Sequence, residues 1–287
     1  MTLATMQKGG TRRVGFIMAA VIALLLVLVP WQSASANAPG SLYSYNFAGT
    51  TGTVANSAEV NTAVPLTLLG DWTATAAGVF FTGNTVDAQS VGYAKSASGS
   101  TLTVPATQSV GVSILFRYQA PSSGQCFSDS PNLTQIGKFA ANITQVKLQL
   151  SNCGKSATQV YPQCRMAGAS TASSVLPVMG TQSLVDGELY IVQCAKTPDP
   201  VSGKPTLELK TTKVDTINGN QVTIDSFQIA KTGNMNSTQY LSVANQYPLK
   251  AQTSNTDQFV GEVLKLAYCK GADLSAAQTC LEAEVTP

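Results

Sequence analysis

The sequence predicts an all-β fold: an antiparallel two-sheet β-sandwich closed by a short C-terminal helical tail. Three observations carry this. Apolar and polar residues alternate with period two in one run after another. Clusters of Gly, Pro, Asn and Asp punctuate those runs. Long amphipathic helical patterns do not occur, so strands with one apolar face must bury those faces against a second sheet. About a dozen strands would satisfy the pattern.

The elements follow in chain order. Lys8, Arg12 and Arg13 precede an apolar run of 16 residues, Val14 to Val29, and Ala34-Ser35-Ala36 is a small-x-small site. Residues 1–36 read as a secretory signal peptide cleaved after Ala36; Arg12-Arg13 fits a twin-arginine signal only loosely. A membrane anchor is the competing reading, but the run is short for ~30 Å of hydrocarbon. Residues 37–287 then form a single domain. With the leader gone, 14 Lys and Arg stand against 15 Asp and Glu, a net charge near −1. No basic block remains, so nucleic acid is not an expected partner.

Within the mature part, "LYSYNFAGTTGTVANSA" (42–58) is a strand and a Gly-rich turn. "VGVSILFRYQ" (110–119) places Val110, Val112, Ile114, Phe116 and Tyr118 on one face. "QVKLQLSN" (145–152) sets Val146, Leu148 and Leu150 against Gln145, Lys147 and Gln149. The Ser/Thr/Ala stretch 168–184 reads as a long loop. "ELYIVQCAK" (188–196), "PTLELK" (205–210) and "QVTIDSFQI" (221–229) have strand composition, and "INGNQV" (217–222) is a hairpin turn candidate. Near the end, "TDQFVGEVLKLAYCKGADLSAAQ" (256–278) is a strand followed by a helix-prone tail. Gly261 weakens that strand unless a neighbour packs closely over it.

The two ends resemble laminin-G-like, concanavalin-A-like lectin and glucanase jelly-roll domains. Such domains open with an aromatic-x-Phe strand, a Gly-rich turn and an Asp/Asn-Ser pair, places filled here by Tyr45, Phe47, Asn56 and Ser57. Their closing signature is matched by Phe259, Gly261, Val263, Leu266, Tyr268, Leu274, Ser275 and Gln278. The cysteine-bearing middle is similar to secreted bacterial versions. The resemblance implies a jelly roll with its first and last strands adjacent, Phe259 in the core and Gly261 admitting a neighbour.

All six cysteines lie in the mature part, which reads as three disulfides. Zinc is the alternative, but there is no C-x-x-C and no histidine. Six cysteines allow fifteen pairings; the reading taken is Cys126–Cys153, Cys164–Cys194 and Cys269–Cys280.

The absence of histidine removes Ser-His-Asp chemistry. Nucleophile-elbow, phosphate-loop and dinucleotide motifs are absent too. Glycoside hydrolysis needs only two carboxyl groups ~5–10 Å apart; Glu208 reads as mid-strand on an outward face, and Glu188 and Glu262 lie near strand starts. No cofactor is expected. Calcium, bound at loop rims in many relatives, has candidate ligands in Asp129, Asp199 and Asp257, without D-x-D or EF-hand spacing. A glycan-binding surface would use outward strand residues: Arg117, Lys147, Gln149, Arg165 and Glu208. Trp72 reads as core-lining. Asn132, Asn142 and Asn236 fit N-x-S/T and would mark surface loops in a eukaryotic export route. The expectation is a secreted, monomeric, non-enzymatic module binding carbohydrate or a cell-surface partner. The alternatives are a secreted glycan-cleaving hydrolase or a structural envelope protein.

Overall fold

The last strand organises the molecule. The computed structural model describes residues 38–58, 64–82, 92–97, 102–120, 130–137, 144–151, 159–168, 176–245 and 257–287. The signal segment 1–36, the pair Cys126–Cys153 and the residues Asp129 and Asn142 lie outside them. Strand β18 (Gly261–Gly271) pairs along one edge with β8 (Ser109–Tyr118). Its other edge is shared by β5 (Val79–Phe81) and β1 (Ser41–Asn46). The register with β8 shifts between Val263 and Lys265, where the partner on the opposite edge changes from β5 to β1. The first and last strands are therefore neighbours, as the sequence ends imply.

Beyond β8 the same sheet, sheet A, continues through β13 (Leu189–Lys196), β14 (Thr206–Lys213) and β15 (Gln221–Gln228); beyond β5 it ends at β4 (Trp72–Ala74). Sheet B runs β12 (Val178–Met179), β11 (Pro162–Ala167), β10 (Gln145–Leu150), β9 (Asn132–Gly137), β17 (Leu241–Val243), β6 (Tyr93–Ser96), β3 (Leu66–Leu69) and β2 (Thr53–Val54). A small pair joins β7 (Leu102–Val104) to β16 (Met235–Ser237). All of these pairings are antiparallel. The described strands number eighteen rather than about a dozen, because many are two to four residues long and too short to show alternation. One of them, β12, falls inside the stretch read as a loop.

The two sheets close over one core. Val112, Ile114 and Phe116 of β8 and Val192 of β13 face Val146 and Leu148 of β10 and Ile136 of β9, all fully buried. Cys164 on β11 is bonded to Cys194 on β13, so a disulfide crosses from sheet to sheet. Such a cross-link contributes about 2–4 kcal/mol, chiefly by restricting the unfolded chain. Tyr43, Tyr45 and Tyr268 form an aromatic cluster, with Tyr43 stacked on Tyr45 and edge-on to Tyr268. Their hydroxyls do not go unmatched: Tyr45 donates to the Val64 carbonyl at 2.8 Å, and Tyr268 meets Thr134 Oγ1 at 2.9 Å. Burial raises the pKa of both Tyr45 and Tyr268, so both stay neutral.

The opening Asn-Ser pair also acquires a reason. Asn56 Oδ1 accepts from the amides of Ser44 and Ala58, and the Ser57 amide donates to the Ser44 carbonyl. The pair thus ties the Gly-rich turn back onto β1.

The closing glycine is explained by crowding. A Cβ on Gly261 would lie 2.5 Å from the Arg117 carbonyl and 2.6 Å from the Phe259 ring, and its φ of +145° belongs to glycine. Phe259 itself is fully buried, edge-on to Phe116 at 5.6 Å.

After β18 the chain turns into helix α1 (Leu274–Val285), capped by Asp273, whose carboxylate accepts from the Ala276 amide. Ala277, Cys280, Leu281 and Val285 recur on one face, and that face packs on the outer side of sheet A. Gly111 leaves the room: a Cβ there would lie 2.6 Å from Leu281 Cδ1. Cys269 is inside β18; its bond to Cys280 pins the helix to the sheet. Glu284 adds two contacts, accepting from the Ala38 amide and from Ser44 Oγ. Asn132, read as a surface sequon, is buried in β9, where its Nδ2 donates to the Asn245 carbonyl. Asn236 is exposed, but in strand β16 rather than a loop.

Replacing Phe259 with Ala removes a fully buried ring from the contact with Phe116, and the expected loss is about 3–5 kcal/mol. Urea melts measure it; a loss under ~1 kcal/mol would show that the segment leading into β18 is not core.

Candidate functional site

Alternation along β10 turns Val146, Leu148 and Leu150 into the core and Gln145, Lys147 and Gln149 to the outside of sheet B. The ladder sets the neighbours. Lys147 stands opposite Arg165 on β11 and opposite Gln135 on β9. Gln135 stands opposite Ser242 on β17, and Ser242 opposite Lys95 on β6. A row of three cations and their polar neighbours therefore crosses five strands. Gln149 and Gln163 flank it, joined side chain to side chain at 2.7 Å.

These groups are not freely solvated. Lys147 is 8% exposed, Gln135 2% and Ser242 0%. The Lys147 ammonium lies 3.9 Å from the Asp257 carboxylate, and Arg165 Nη1 donates to Gln145 Oε1 at 3.5 Å. Burial lowers the pKa of the Arg165 guanidinium from its ordinary value. Lys95 sits 5.0 Å from the centre of the Tyr240 ring, a cation–π contact. Gln135 uses its amide nitrogen on the Gly137 carbonyl. Its Oε1 and the adjacent Ser242 Oγ have no hydrogen-bond partner among the described residues. Unmet polar atoms in a low-dielectric setting cost about 1–3 kcal/mol each and mark a place where a ligand's hydrogen bonds are worth most.

Of the surface residues named from sequence, the structure brings Lys147, Gln149 and Arg165 together on this face. It places Arg117 and Glu208 on the outer side of sheet A. Arg117 Nε lies 3.4 Å from Glu262 Oε2, and its Nη1 donates to the Gly187 carbonyl. These groups border a cavity of about 210 Å³ with Phe80 and Tyr118; burial pushes the Tyr118 hydroxyl up to about 12. Glu208 accepts from Gln278 on α1 at 2.7 Å. Alternation assigns a side chain to a face of its strand, not a strand to a sheet, which is why the five separate. Gln135, Ser242 and Lys95 went unread. β9 carries a register shift between Leu148 and Gln149 of its partner that breaks its alternation, and β17 has three residues.

The carboxylates considered for hydrolysis are on the side of sheet A. Glu262 pairs with Arg117 and accepts from Thr75 Oγ1, and Glu188 pairs with Lys213 at 3.1 Å. Among the described residues no three Cys, Asp or Glu side chains gather as a metal would require. Asp257 faces Lys147, and Asp199 is engaged by protein donors. Its carboxylate accepts from Lys196 Nζ at 3.0 Å, the Gly233 amide at 2.6 Å and Thr232 Oγ1 at 3.2 Å. Trp72 is half-buried and packs against the core.

No family model matches the chain, and no curated protein is similar to it. Solved structures resemble its fold at low identity. Peanut lectin with a nonamer peptide is 17% identical, with 79% of this chain and 97% of that chain covered and a TM-score of 0.42. An alginate lyase from Aplysia kurodai is 5% identical, covering 80% and 98%, at 0.41. An endo-1,3-β-glucanase from Streptomyces sioyaensis is 8% identical, covering 82% and 93%, at 0.34. No described helix is long and apolar enough to cross a membrane.

Lys196 is 1% exposed, and Asp199 is its ion-pair partner. Asp199→Ala strands that ammonium, and urea melts are expected to show a loss of about 3–5 kcal/mol. Burial lowers the Lys196 pKa, while Asp199 works against the shift. Between the lowered folded value and the ordinary value near 10.4, the unfolded chain binds more protons than the folded one, so this contribution rises with pH. Without Asp199 the folded value falls further and the window widens. Melts from neutral to alkaline pH should therefore show part of the loss in Asp199→Ala recovered as pH rises. Equal losses at every pH would refute this account of Lys196.

Proposed function

We propose that the protein is a secreted, non-enzymatic recognition module that binds carbohydrate through the outer face of sheet B. One observation carries this reading: the cross-strand row of Arg165, Lys147, Gln135, Ser242 and Lys95, in which two neighbouring buried polar atoms lack partners among the described residues. Cations and side-chain amides at strand spacing suit a linear ligand that repeats hydroxyl groups and carboxylates. Gln135 Oε1 would accept from a ligand hydroxyl, and Ser242 Oγ can donate or accept. Arg165 offers a planar fork to a carboxylate, and Lys147 and Lys95 add point charges. The preferred ligand is an acidic polysaccharide. Export is supported by the leader-like residues 1–36 and by the disulfides Cys164–Cys194 and Cys269–Cys280, which persist in oxidising compartments.

Arrays carrying uronic-acid and neutral polysaccharides test the reading. Arg165→Gln combined with Lys95→Gln is expected to weaken binding to the acidic glycans by at least about tenfold, since charged hydrogen bonds contribute roughly 1.5–3 kcal/mol. Arg117→Gln, on the other sheet, should leave binding unchanged. An unmodified protein that binds no glycan, or equal losses in both variants, would overturn it.

A further inference from the structure

Among the described residues the strand paths of the two large sheets end in four strands; β1, off the path of sheet A, has its outer side bonded by Asn56 and Ser57. Three are short: β4 has three residues, β2 and β12 two each. Short edges offer little to a foreign strand, one of the common devices against edge-to-edge pairing. The fourth, β15, has eight residues and an unbroken register with β14.

Among the described residues the backbone of β15 has an open side. The Ile229 amide donates to the Pro205 carbonyl, which makes that pair a hydrogen-bonded one. Bonded and non-bonded pairs alternate in an antiparallel ladder, so residues 221, 223, 225 and 227 bond to β14. The N–H and C=O groups of Val222, Ile224, Ser226 and Gln228 therefore point away from the sheet. No described backbone group bonds to them. Val222 and Ile224 are 51% and 58% exposed on the outer face. The strand contains no lysine and no proline, and its register carries no bulge. Its single charge, Asp225, lies on the inner face and accepts from the Thr181 amide and hydroxyl.

We propose that β15 pairs with β15 of a second copy of this chain, antiparallel, across a two-fold axis at Ile224. Self-pairing demands that the strand be complementary to itself, and this one is. The axis sets Ile224 against its own copy and Val222 against Ser226 on either side. All the backbone groups brought together are the outward ones, so every new pair can be hydrogen-bonded. On the inner face Asp225 meets Thr223 rather than another carboxylate. The result is a sheet A continuous through both copies, with Val222 and Ile224 of each forming one apolar patch. This departs from the monomer expected from sequence, which cannot tell an edge strand from a central one.

Sedimentation equilibrium of the purified protein across the micromolar range tests the proposal. A dimer is expected. Ile224→Lys sets two ammonium groups face to face, and like charges directly opposite destabilise a strand pair. It should weaken dimerisation at least about tenfold, with circular dichroism unchanged because the side chain is exposed, and with melting equal to the parent's only at concentrations low enough for the parent to be monomeric. Ile224→Glu alone should behave likewise, and an equal mixture of the two variants should recover the dimer. In the unmodified protein the amides of residues 222, 224 and 226 should exchange hydrogen slowly, and in Ile224→Lys quickly. A protein that stays monomeric throughout, or variants that dimerise as tightly as the parent, would overturn the proposal. So would a mixture that fails to recover the dimer.

Discussion

The pairing of β18 on both its edges is the constraint from which the rest of the structure follows. Its partners come from residues 41–46, 79–81 and 109–118, so the last strand is hydrogen-bonded to the first and to the middle of the domain. Until the end of the chain docks, β1 and β5 have no neighbour on that side, and β8 lacks one of its two. Contacts of such sequence separation are costly in loop entropy before they return any stabilisation. The positions that enable them are correspondingly demanding. Gly261 allows the backbone to pass against the Arg117 carbonyl, and Phe259 fills the space beneath. The shift near Leu264 lets one straight strand serve two partners in succession.

The two outer faces then take different roles. On sheet A, Gly111, Ala195 and Ala267 keep the surface low, and α1 lies over it, held by Cys269–Cys280, by Glu284 to the first strand and by Lys210 to Glu282. Arg117 and Glu208 belong to that structural side, each engaged by a neighbouring element. On sheet B the equivalent surface carries amides and cations instead of small residues. The contrast is chemical rather than topological, since both faces come from the same alternation. Small residues invite a helix. Buried Gln135 and Ser242 leave polar atoms unmatched among the described residues, as Ser113 and Gln193 do on the outer face of sheet A; what sets the sheet B face apart is its row of cations.

Much of the fold was legible because it rests on local regularities. Among the strands of six or more residues, β8, β10, β13, β14 and β15 show their faces in the sequence, and the terminal signatures imply the β1–β18 contact. Strands of two to four residues leave no periodic trace, and their existence depends on pairing supplied from elsewhere. The site was half legible for the same reason. Lys147, Gln149 and Arg165 sit on strands whose outward faces can be read, while Gln135 and Ser242 sit on an irregular strand and a very short one. Two further residues, Arg117 and Glu208, were legible as outward but not as belonging to the opposite sheet. Side-chain direction is local information; sheet membership is not. Cys164–Cys194 is the exception, because a covalent bond between alternating strands declares which two sheets face one another.

The edge of β15 and the polar face of sheet B do not compete for surface. One lies in the plane of sheet A, the other on the far side of the sandwich, and β14 and β15 contribute nothing to the row that begins at Arg165. A two-fold pairing at the edge would therefore place two copies of the polar face in one particle. For a polysaccharide, whose repeats recur along a chain, that arrangement matters more than the strength of either face alone. Once one face is occupied, the second meets its ligand at an effective concentration that reaches the millimolar range for short connections. Weak individual contacts, such as amides and partly buried cations make with hydroxyl groups, then become sufficient. A rigid β-pairing fixes the spacing of the two faces, so length and stiffness of the polymer, besides its chemistry, enter the selection.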